Sequence, residues 1–312
     1  MQGIDLAYTQ TASIMRFKTA YVFCALTLIA LISVVPRVMA SPETVPRDVL
    51  KLRPDGYVYA DYPGVFDDAG GEGITIEAWI YLTERPEDWD RPAANFREGQ
   101  WIIFAKPGSY FVTITGRDLG SGIRRGDPEG TAYIDFGVQS LDHGGMSTGI
   151  WGRVIPPHDF PLRRWVHIAY QISVKGNYTQ DIPFYDGVGR AIGGFDSAIS
   201  RTNAPLLIGG SERATLKNGW KWESEYGSMK GYIDEVRVSK GFRYGNVPRR
   251  IIRPKRGLRA DGRTIALWRF EEGRGATHFA DSSGNSHTLR AGGSLAVDSR
   301  GKLATTWGNI KR

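Results

Sequence analysis

The sequence predicts an all-β protein built as a sandwich or barrel of short strands. Runs rich in β-branched and aromatic residues recur along the chain, and turn-forming residues separate them. Outside one apolar stretch near the N-terminus, no window of 12 or more residues shows a clean helical period of about 3.6 residues. The chain has 312 residues, 41% hydrophobic and 23% charged, a balance that excludes a wholly disordered or fibrous protein.

The clearest strand is Ile74–Leu82, in which β-branched and aromatic residues predominate and charge is nearly absent. Seven more runs of this kind follow it: Trp101–Ala105, Tyr110–Thr115, Tyr133–Val138, Trp165–Val174, Leu206–Ile208, Tyr232–Val238 and Ile265–Phe270. Turn residues lie between them, as in Lys106–Gly108 and Tyr185–Gly187. Proline presets the first turn dihedral and glycine accepts a positive φ, so these segments reverse the chain.

The first 40 residues have the pattern of a secretory signal peptide. Arg16 and Lys18 precede an uncharged run over residues 20–35, and Val38–Ala40 resembles a small-residue cleavage site. Met15 is then the start of translation. A membrane anchor is the alternative, but the run of about 16 residues is shorter than the ~20 that a span needs. We therefore predict a secreted protein, extracellular, periplasmic or on the cell surface.

Charge and cysteine content narrow the function further. The one cysteine, Cys24, lies inside the signal segment, so the mature chain has neither a disulfide nor a cysteine-rich zinc site. The net charge of +7 suits an anionic ligand but does not by itself indicate nucleic acid. No later stretch is apolar enough to span a membrane. After a linker at 41–53, one domain is predicted over 54–293 and a tail over 294–312.

One enzyme motif is present, but its context does not fit. Gly145–Gly149 matches the G-x-S-x-G pattern of a serine nucleophile, which requires a strand that leads into a helix at the serine. The segment Trp151–Pro157 that follows cannot be helical. We therefore predict a flexible loop here and no catalytic serine.

Four blocks stand in a characteristic order: Ile74–Ile80, Trp165–Ala169, Pro205–Gly210 and Gly231–Val238. A fifth block, Ala266–Gly273, is followed by Asp281–Asn285. In order and spacing these blocks resemble the LamG-like jelly-roll family of the concanavalin A-like lectin/glucanase superfamily, although the fifth block opens the module in many members and closes it here. The resemblance covers residues 54–293 and implies a two-sheet antiparallel jelly-roll sandwich.

Several residues in these blocks are predicted to be structural. Trp79 and Trp165 lie in strands, where a sandwich favours buried aromatic side chains. His167 alternates with Val166 and Ile168 on a strand, which is typical of a hydrogen-bonded structural histidine. The other histidines show no metal-ligand spacing, so zinc is not expected.

Calcium is the predicted cofactor. The turn Asp281–Asn285 offers two side-chain oxygens and exposed carbonyls on a glycine turn, which suits a hard cation. The resemblance implies that this turn meets Asp234 to form one site, with Glu271 or Glu272 as a further ligand. The alternative is that Asp281 and Asn285 bond to the backbone of their own turn. The sequence leaves both interpretations open.

The predicted ligand is a polysaccharide or a glycoconjugate surface. Sugar rings stack on exposed aromatic side chains, and Trp151, Trp220 and Trp222 fall in glycine-rich or charged surroundings rather than in predicted strands. Each of them would otherwise pack a loop onto the sandwich. The basic stretch Arg249–Arg259 has six cations and no acid. It would either dock an anionic polysaccharide or, as the preferred interpretation, form a solvated connection.

The alternatives to a binding module are a glycoside hydrolase and a purely structural adhesion or matrix component. Laminarinase-like enzymes of the superfamily carry Glu-x-Asp-x-(x)-Glu on one strand, with two carboxylates on one face. The nearest segment here, Glu223 and Glu225, lacks the central aspartate. We therefore predict a secreted, non-catalytic module that binds carbohydrate or an extracellular surface.

Overall fold

The strands of the protein sort into two large sheets that pack face to face. The structure is a computed structural model that describes residues 45, 48–52, 56–62, 64–67, 71–84, 86, 100–115, 133–142, 146–154, 161–176, 178–189, 193–195, 199–210, 214–215, 221–222, 227–246, 250–251, 253–292 and 295–297. All of them belong to one unit, residues 43–312. Among them there is no helix with the length and hydropathy that a membrane span needs. The predicted signal peptide lies outside the described residues.

The first sheet has nine strands, all paired antiparallel. They are β1 (Leu50–Leu52), β3 (Ile74–Leu82), β8 (Trp165–Lys175), β9 (Tyr178–Tyr185), β10 (Val188–Gly189), β11 (Gly193–Phe195), β16 (Gly231–Lys240), β17 (Thr264–Trp268) and β20 (Leu295–Val297). The order along the sheet is β10, β9, β8, β3, β16, β1, β20, with β11 beside β9 and β17 beside β16.

The second sheet also has nine strands. They are β2 (Tyr57–Ala60), β4 (Gln100–Lys106), β5 (Tyr110–Thr115), β6 (Tyr133–Asp142), β7 (Met146–Val154), β12 (Leu206–Ile208), β15 (Gly227–Ser228), β18 (His278–Phe279) and β19 (Leu289–Gly292). The order is β18, β19, β2, β12, β4, β5, β6, β7, and the short β15 pairs with β4 in parallel. A separate two-stranded ribbon joins β13 (Ala214–Thr215) and β14 (Lys221–Trp222).

The core lies between the two sheets, where alternate residues of each strand meet. Ile76, Ala78 and Ile80 of β3 face Val112 and Ile134 of the second sheet within one buried cluster. Alternation places the intervening side chains on the outer faces, because successive residues of a strand point to opposite sides. The predicted all-β, two-sheet antiparallel sandwich of jelly-roll type is confirmed, and this is also the architecture that the concanavalin A-like resemblance implies.

The outer face of the first sheet is covered by the chain itself. We call residues 242–259 the strap; it connects β16 to β17, and the structure describes it except at 247–249 and 252. Phe242, Tyr244 and Ile251 of the strap pack on Ile182 and Phe184 of β9. The first sheet is therefore enclosed on both faces, and the nearly continuous burial of β3, β8 and β16 follows from this.

All eight predicted strands are present, with ends that differ by a few residues. The first sheet also extends beyond the predicted domain at both ends, since β1 lies in the predicted linker and β20 in the predicted tail, and the two pair with each other. One local prediction is wrong. Gly145–Gly149 was expected to be a flexible loop, but β7 begins at Met146 and pairs with β6 along its whole length. The alternation of small and apolar residues in β7 was too weak to indicate a strand.

Candidate functional site

The predicted calcium ligand Asp281 binds the backbone around its own turn. Its Oδ1 accepts hydrogen bonds from the N–H groups of Leu267, at 2.9 Å, and Ser283, at 2.8 Å. Its Oδ2 accepts one from the N–H of His287 at 3.0 Å. Burial by itself would raise the pKa of Asp281, but the hydrogen bonds from Ser283, Leu267 and His287 lower it below its ordinary value.

Asn285 also bonds to backbone. Its Nδ2 donates to the carbonyl oxygens of Thr264, at 3.0 Å, and Ile265, at 2.9 Å, and so fastens the turn to β17. Asp281 therefore has in part the contacts of the alternative that the sequence left open, a turn stabilised by its own side chains, whereas the side chain of Asn285 bonds to β17 instead.

The other two predicted ligands, Asp234 and Glu271, interact electrostatically. Asp234 is 5% exposed and its Oδ2 lies 3.3 Å from Nε of Arg256. Burial raises the pKa of Asp234 to about 7, the negative charges of Glu235 and Glu271 add to this, and Arg256 opposes it. The carboxylate of Glu235 is occupied, since it accepts the N–H groups of Gly257 and Leu258.

In the part of the chain that the structure describes, no three acidic, histidine or cysteine side chains are grouped so that they could hold a metal ion. Calcium at Asp234, Glu271, Asp281 and Asn285 therefore stays a prediction, and the carboxylate of Asp281 already accepts three backbone hydrogen bonds.

The predicted ligand-binding tryptophans are only partly within the described residues. Trp151 lies in β7 and Trp222 in β14, so the prediction that they fall outside strands is wrong. Their side chains, all of Trp220, and the glutamates Glu223 and Glu225 lie outside what the structure describes.

Sequence reasoning missed an aromatic surface on the outer face of the second sheet, which we call the tyrosine surface: Tyr57, Tyr59, Arg290 and Gly292. Tyr57 and Tyr59 are half-buried neighbours on β2 with ring centroids 6.1 Å apart. In β19, Gly292 pairs with Tyr57 and the exposed Arg290 pairs with Tyr59. A Cβ at Gly292 would lie 2.2 Å from the ring of Tyr57, so this ring lies directly over the glycine backbone.

One register row connects the tyrosine surface to Trp151. Each residue pairs with the next across adjacent strands: Arg290, Tyr59, Leu207, Ala105, Phe111, Gly137 and Trp151. Ala105 and Phe111 form a buried apolar cluster apart from the main core. The ring of Phe111 lies over Gly137, where a Cβ would approach it to 2.2 Å. The row thus connects the backbone of Trp151, near one end of the sheet, with Tyr59 and Arg290 near the other end.

The basic stretch is not a merely solvated connection, because part of it is packed on the first sheet. The guanidinium carbons of Arg253 and Arg256 each lie 4.6 Å from the centroid of a tryptophan ring, over Trp79 and Trp165 respectively. Arg253 also pairs with Asp186 at 3.0 Å. The prediction that Trp79 and Trp165 are buried is confirmed, but both lie on the outer face beneath the strap rather than between the sheets.

A buried polar network lies beside these tryptophans. Oε2 of Glu77 contacts Nε2 of His167 at 2.9 Å and accepts a hydrogen bond from the hydroxyl of Tyr244 at 2.5 Å. Oε1 of Glu77 accepts hydrogen bonds from Arg237, the shorter of them 2.7 Å. Burial would raise the pKa of Glu77, but the hydrogen bond and charge of His167, together with Arg237 and Tyr244, lower it to about 2. His167 is fully buried, so its predicted structural role is confirmed.

The missed features have different causes. Tyr57 and Tyr59 alternate with apolar residues in a short run that could have indicated a half-exposed strand. The Glu77 network joins residues 77, 167, 237 and 244, and no local signal reports a contact between positions so distant in sequence.

No family model matches the chain, and no curated protein matches it significantly. Solved structures of similar shape include the heptameric SAP-like pentraxin of Limulus polyphemus, with 14% identity, 62% of this chain and 77% of that chain covered, and a TM-score of 0.35. Tailspike protein 2 of an Escherichia coli O157:H7 bacteriophage has 14% identity, covers 75% of this chain and 31% of its own, and has a TM-score of 0.37. The alginate lyase of Klebsiella pneumoniae has 12% identity, with 55% and 61% covered and a TM-score of 0.29. TM-scores below 0.5 at these identities say nothing about the ligand or the activity of this chain.

Proposed function

We propose that this chain is a secreted, non-catalytic module that binds carbohydrate on the outer face of its second sheet. The observation that carries the proposal is the tyrosine surface, in which the ring of Tyr57 lies over Gly292 and next to Tyr59. Aromatic rings in this setting bind the apolar face of a sugar, and an exposed arginine such as Arg290 donates hydrogen bonds to hydroxyl or carboxylate groups.

Among the described residues, the outer face of the first sheet has no comparable pair of neighbouring tyrosines beside a glycine and an exposed arginine. Its outer aromatic residues Trp79 and Trp165 are buried under Arg253 and Arg256 of the strap. A ligand would have to displace the strap and break the contacts of Glu235 with Gly257 and Leu258 to reach them. A carbohydrate site on the second sheet requires no such rearrangement of the first.

A non-catalytic role is supported by what the described carboxylates do. Glu77, Asp186, Asp261 and Asp281 accept hydrogen bonds from arginine side chains or backbone N–H groups, and these contacts hold the fold together. Asp234, with its raised pKa beside Glu271, is the described carboxyl group that most resembles the acid of a glycoside hydrolase. Its ion pair with Arg256 and its burial favour a structural role.

The test is a glycan-array screen of residues 41–312, followed by titration of the best glycan with single variants. Tyr57→Ala and Tyr59→Ala should each weaken binding about tenfold, since a stacking contact is worth about 0.5–1.5 kcal/mol beyond its buried area. Trp151→Ala should weaken it as well. The matched control is Tyr178→Ala, which removes a tyrosine that is 43% exposed in β9 of the other sheet and should leave binding unchanged.

A reducing-sugar assay on the same glycans separates the module from a hydrolase. We expect no turnover. Turnover that disappears in Asp234→Asn, Glu223→Gln or Glu225→Gln would establish the hydrolase alternative instead. Equal binding by Tyr57→Ala, Tyr59→Ala and the wild type would exclude the tyrosine surface as the site.

A further inference from the structure

The strap has a second side, which carries cations and faces solvent. Arg250, Lys255 and Arg259 are exposed, and no described carboxylate pairs with any of them. Their neighbours Arg253 and Arg256 are used differently, since both lie over tryptophan rings and pair with Asp186 and Asp234. The basic stretch is thus divided between cations that fasten the strap and cations that have no anionic partner among the residues that the structure describes.

The anchors hold the exposed cations in a fixed arrangement. The N–H of Ile251 donates to the carbonyl of Gly187 at 2.8 Å, beside Arg250. The N–H of Leu258 donates to Glu235 at 2.8 Å, and Arg237 binds the carbonyl of Arg259 at 2.7 Å. A preorganised row of charges loses less entropy on binding a ligand than a mobile segment does, so the strap is better suited to binding than a flexible basic tail.

The three cations are distributed along the strap, which bends at Arg256 and Gly257. Arg259 lies nine positions after Arg250, so the strap can spread these charges over at most ~30 Å, the length that a fully extended chain of about 3.3 Å per residue would reach. Such a row matches a linear polymer with repeating negative charges better than it matches a small anion, which would need the charges to converge on one point.

The residues around the cations indicate which class of anionic polymer the strap binds. Within the described residues, Tyr178 is the one large hydrophobic side chain that is exposed, and it belongs to β9 rather than to the strap. Nucleic-acid bases would require exposed aromatic rings for stacking, and a bilayer would require apolar side chains to insert. We infer that the exposed side of the strap is a docking surface for a linear anionic polysaccharide, of the polyuronate or sulfated type, and that it is separate from the tyrosine surface on the other sheet.

The experiment measures binding of the full chain to polygalacturonate and to dextran sulfate, with uncharged dextran as the neutral polymer. The strap variant Arg250→Gln/Lys255→Gln/Arg259→Gln should bind both polyanions at least tenfold more weakly than the wild type. The charge-matched control Lys175→Gln/Lys240→Gln/Arg274→Gln removes three exposed cations outside the strap and the tyrosine surface, and its binding should stay within about twofold of the wild type. Binding should also weaken as salt rises, because exposed charges are screened.

Three results would overturn the inference. The first is an equal loss of polyanion affinity in the strap and control variants. The second is that the wild type binds neither polyanion. The third is that the strap binds a single-stranded oligonucleotide or phosphatidylserine vesicles at least as tightly as it binds the polysaccharides. Unchanged melting temperatures verify that the variants are folded, and Lys255→Glu alone provides a second test. Because the inference does not rest on the tyrosine surface, binding of a neutral glycan by the strap variant should be normal whether or not the strap binds polyanions.

Discussion

Arg253 lies over Trp79, with its guanidinium carbon 4.6 Å from the ring centroid. This contact joins the middle of the strap to the centre of the first sheet, since Trp79 pairs with Asp234 on one side and with His167 on the other. A cation above an indole face is attracted by the ring electrons, and the stem of the arginine covers apolar surface that would otherwise be wet. The arginine-rich composition of the strap is therefore partly a packing requirement.

The first prediction concerns this contact. Arg253→Ala removes the interaction with Trp79 and the ion pair with Asp186, and should lower the free energy of unfolding by about 1–2 kcal/mol in urea denaturation. Arg250→Ala in the same strap is the control, because Arg250 is exposed and should change stability by less than about 0.5 kcal/mol. Equal effects of the two substitutions would mean that the strap is not held by the arginine and tryptophan contacts.

The second prediction concerns the buried network. Glu77→Gln leaves the charge of Arg237 buried without its partner and should cost about 3–5 kcal/mol. Glu84→Gln breaks an exposed pair with Lys230, whose side chains are 61% and 49% exposed, and should cost less than about 1 kcal/mol. Urea denaturation of the wild type and of both variants measures these two losses in the free energy of unfolding.

The pH profile gives an independent check on Glu77. Its folded-state pKa of about 2 lies below the ordinary 4.5, so its contribution to stability is present above pH 4.5 and is lost as the pH falls towards 2. The difference in the free energy of unfolding between the wild type and Glu77→Gln should therefore shrink as the pH falls from 4.5 towards 2. A difference between the two proteins that does not change from pH 5 to pH 2 would contradict an ionised Glu77.

The strands were predictable from the sequence because their signal is local. Ile74–Leu82 and Tyr110–Thr115 coincide with β3 and β5 to the residue, since β-branched and aromatic runs bounded by turn residues fix both ends. The strand Met146–Val154 was not predicted because its two glycines weaken the strand signal, and its pairing with β6 is a tertiary property. The strap could be recognised as basic, but not as packed, because its partners lie on β3 and β8.

The third prediction distinguishes a self-bonded turn from a calcium site. Asp281→Ala removes the acceptor for the N–H groups of Leu267, Ser283 and His287 and should cost about 2–4 kcal/mol. We expect the same loss in excess calcium and in a chelator, with Ser282→Ala, an exposed residue of the same turn, as a nearly neutral control. A wild-type stabilisation of about 2.7 kcal/mol in calcium at about 100 times its dissociation constant, absent in Asp281→Ala, would establish the metal site.

The fourth prediction follows from Asp234. Its folded-state pKa of about 7 lies above the ordinary 3.8, so between these values the folded state holds a proton that the unfolded chain has released. Its contribution to stability is therefore complete below pH 4 and is lost as the pH rises through 7. The wild type should lose up to about 4 kcal/mol relative to Asp234→Asn from pH 4 to pH 8. Glu271→Gln removes a negative charge that raises the pKa of Asp234, so it should reduce that loss. If the stability of the wild type and of Asp234→Asn changes with pH in the same way, the pKa of Asp234 is not raised.

The candidate site was less predictable than the fold. Tryptophans are candidate sugar-binding residues from the sequence alone. Tyr57 and Tyr59 become candidates only in the structure, because Gly292 and Arg290 lie beside them in the sheet. Asp281 and Asn285 were identified correctly as a tight turn, but which atoms they bind depends on the position of β17, 14 or more residues away. Composition can suggest a site, but its partners are set by strand register.

The last prediction tests the register row itself. A Cβ at Gly137 would lie 2.2 Å from the ring of Phe111, so Gly137→Ala forces that ring out of place and should cost about 1–3 kcal/mol. In a Phe111→Ala background the same substitution meets no ring, and alanine is intrinsically better than glycine in a strand, so it should cost nothing or stabilise slightly. Gly262→Ala is the control, because a Cβ there meets nothing within 4 Å. If Gly137→Ala costs as much in the Phe111→Ala background as in the wild type, the ring does not lie over Gly137, and the row cannot lead to Trp151 as described.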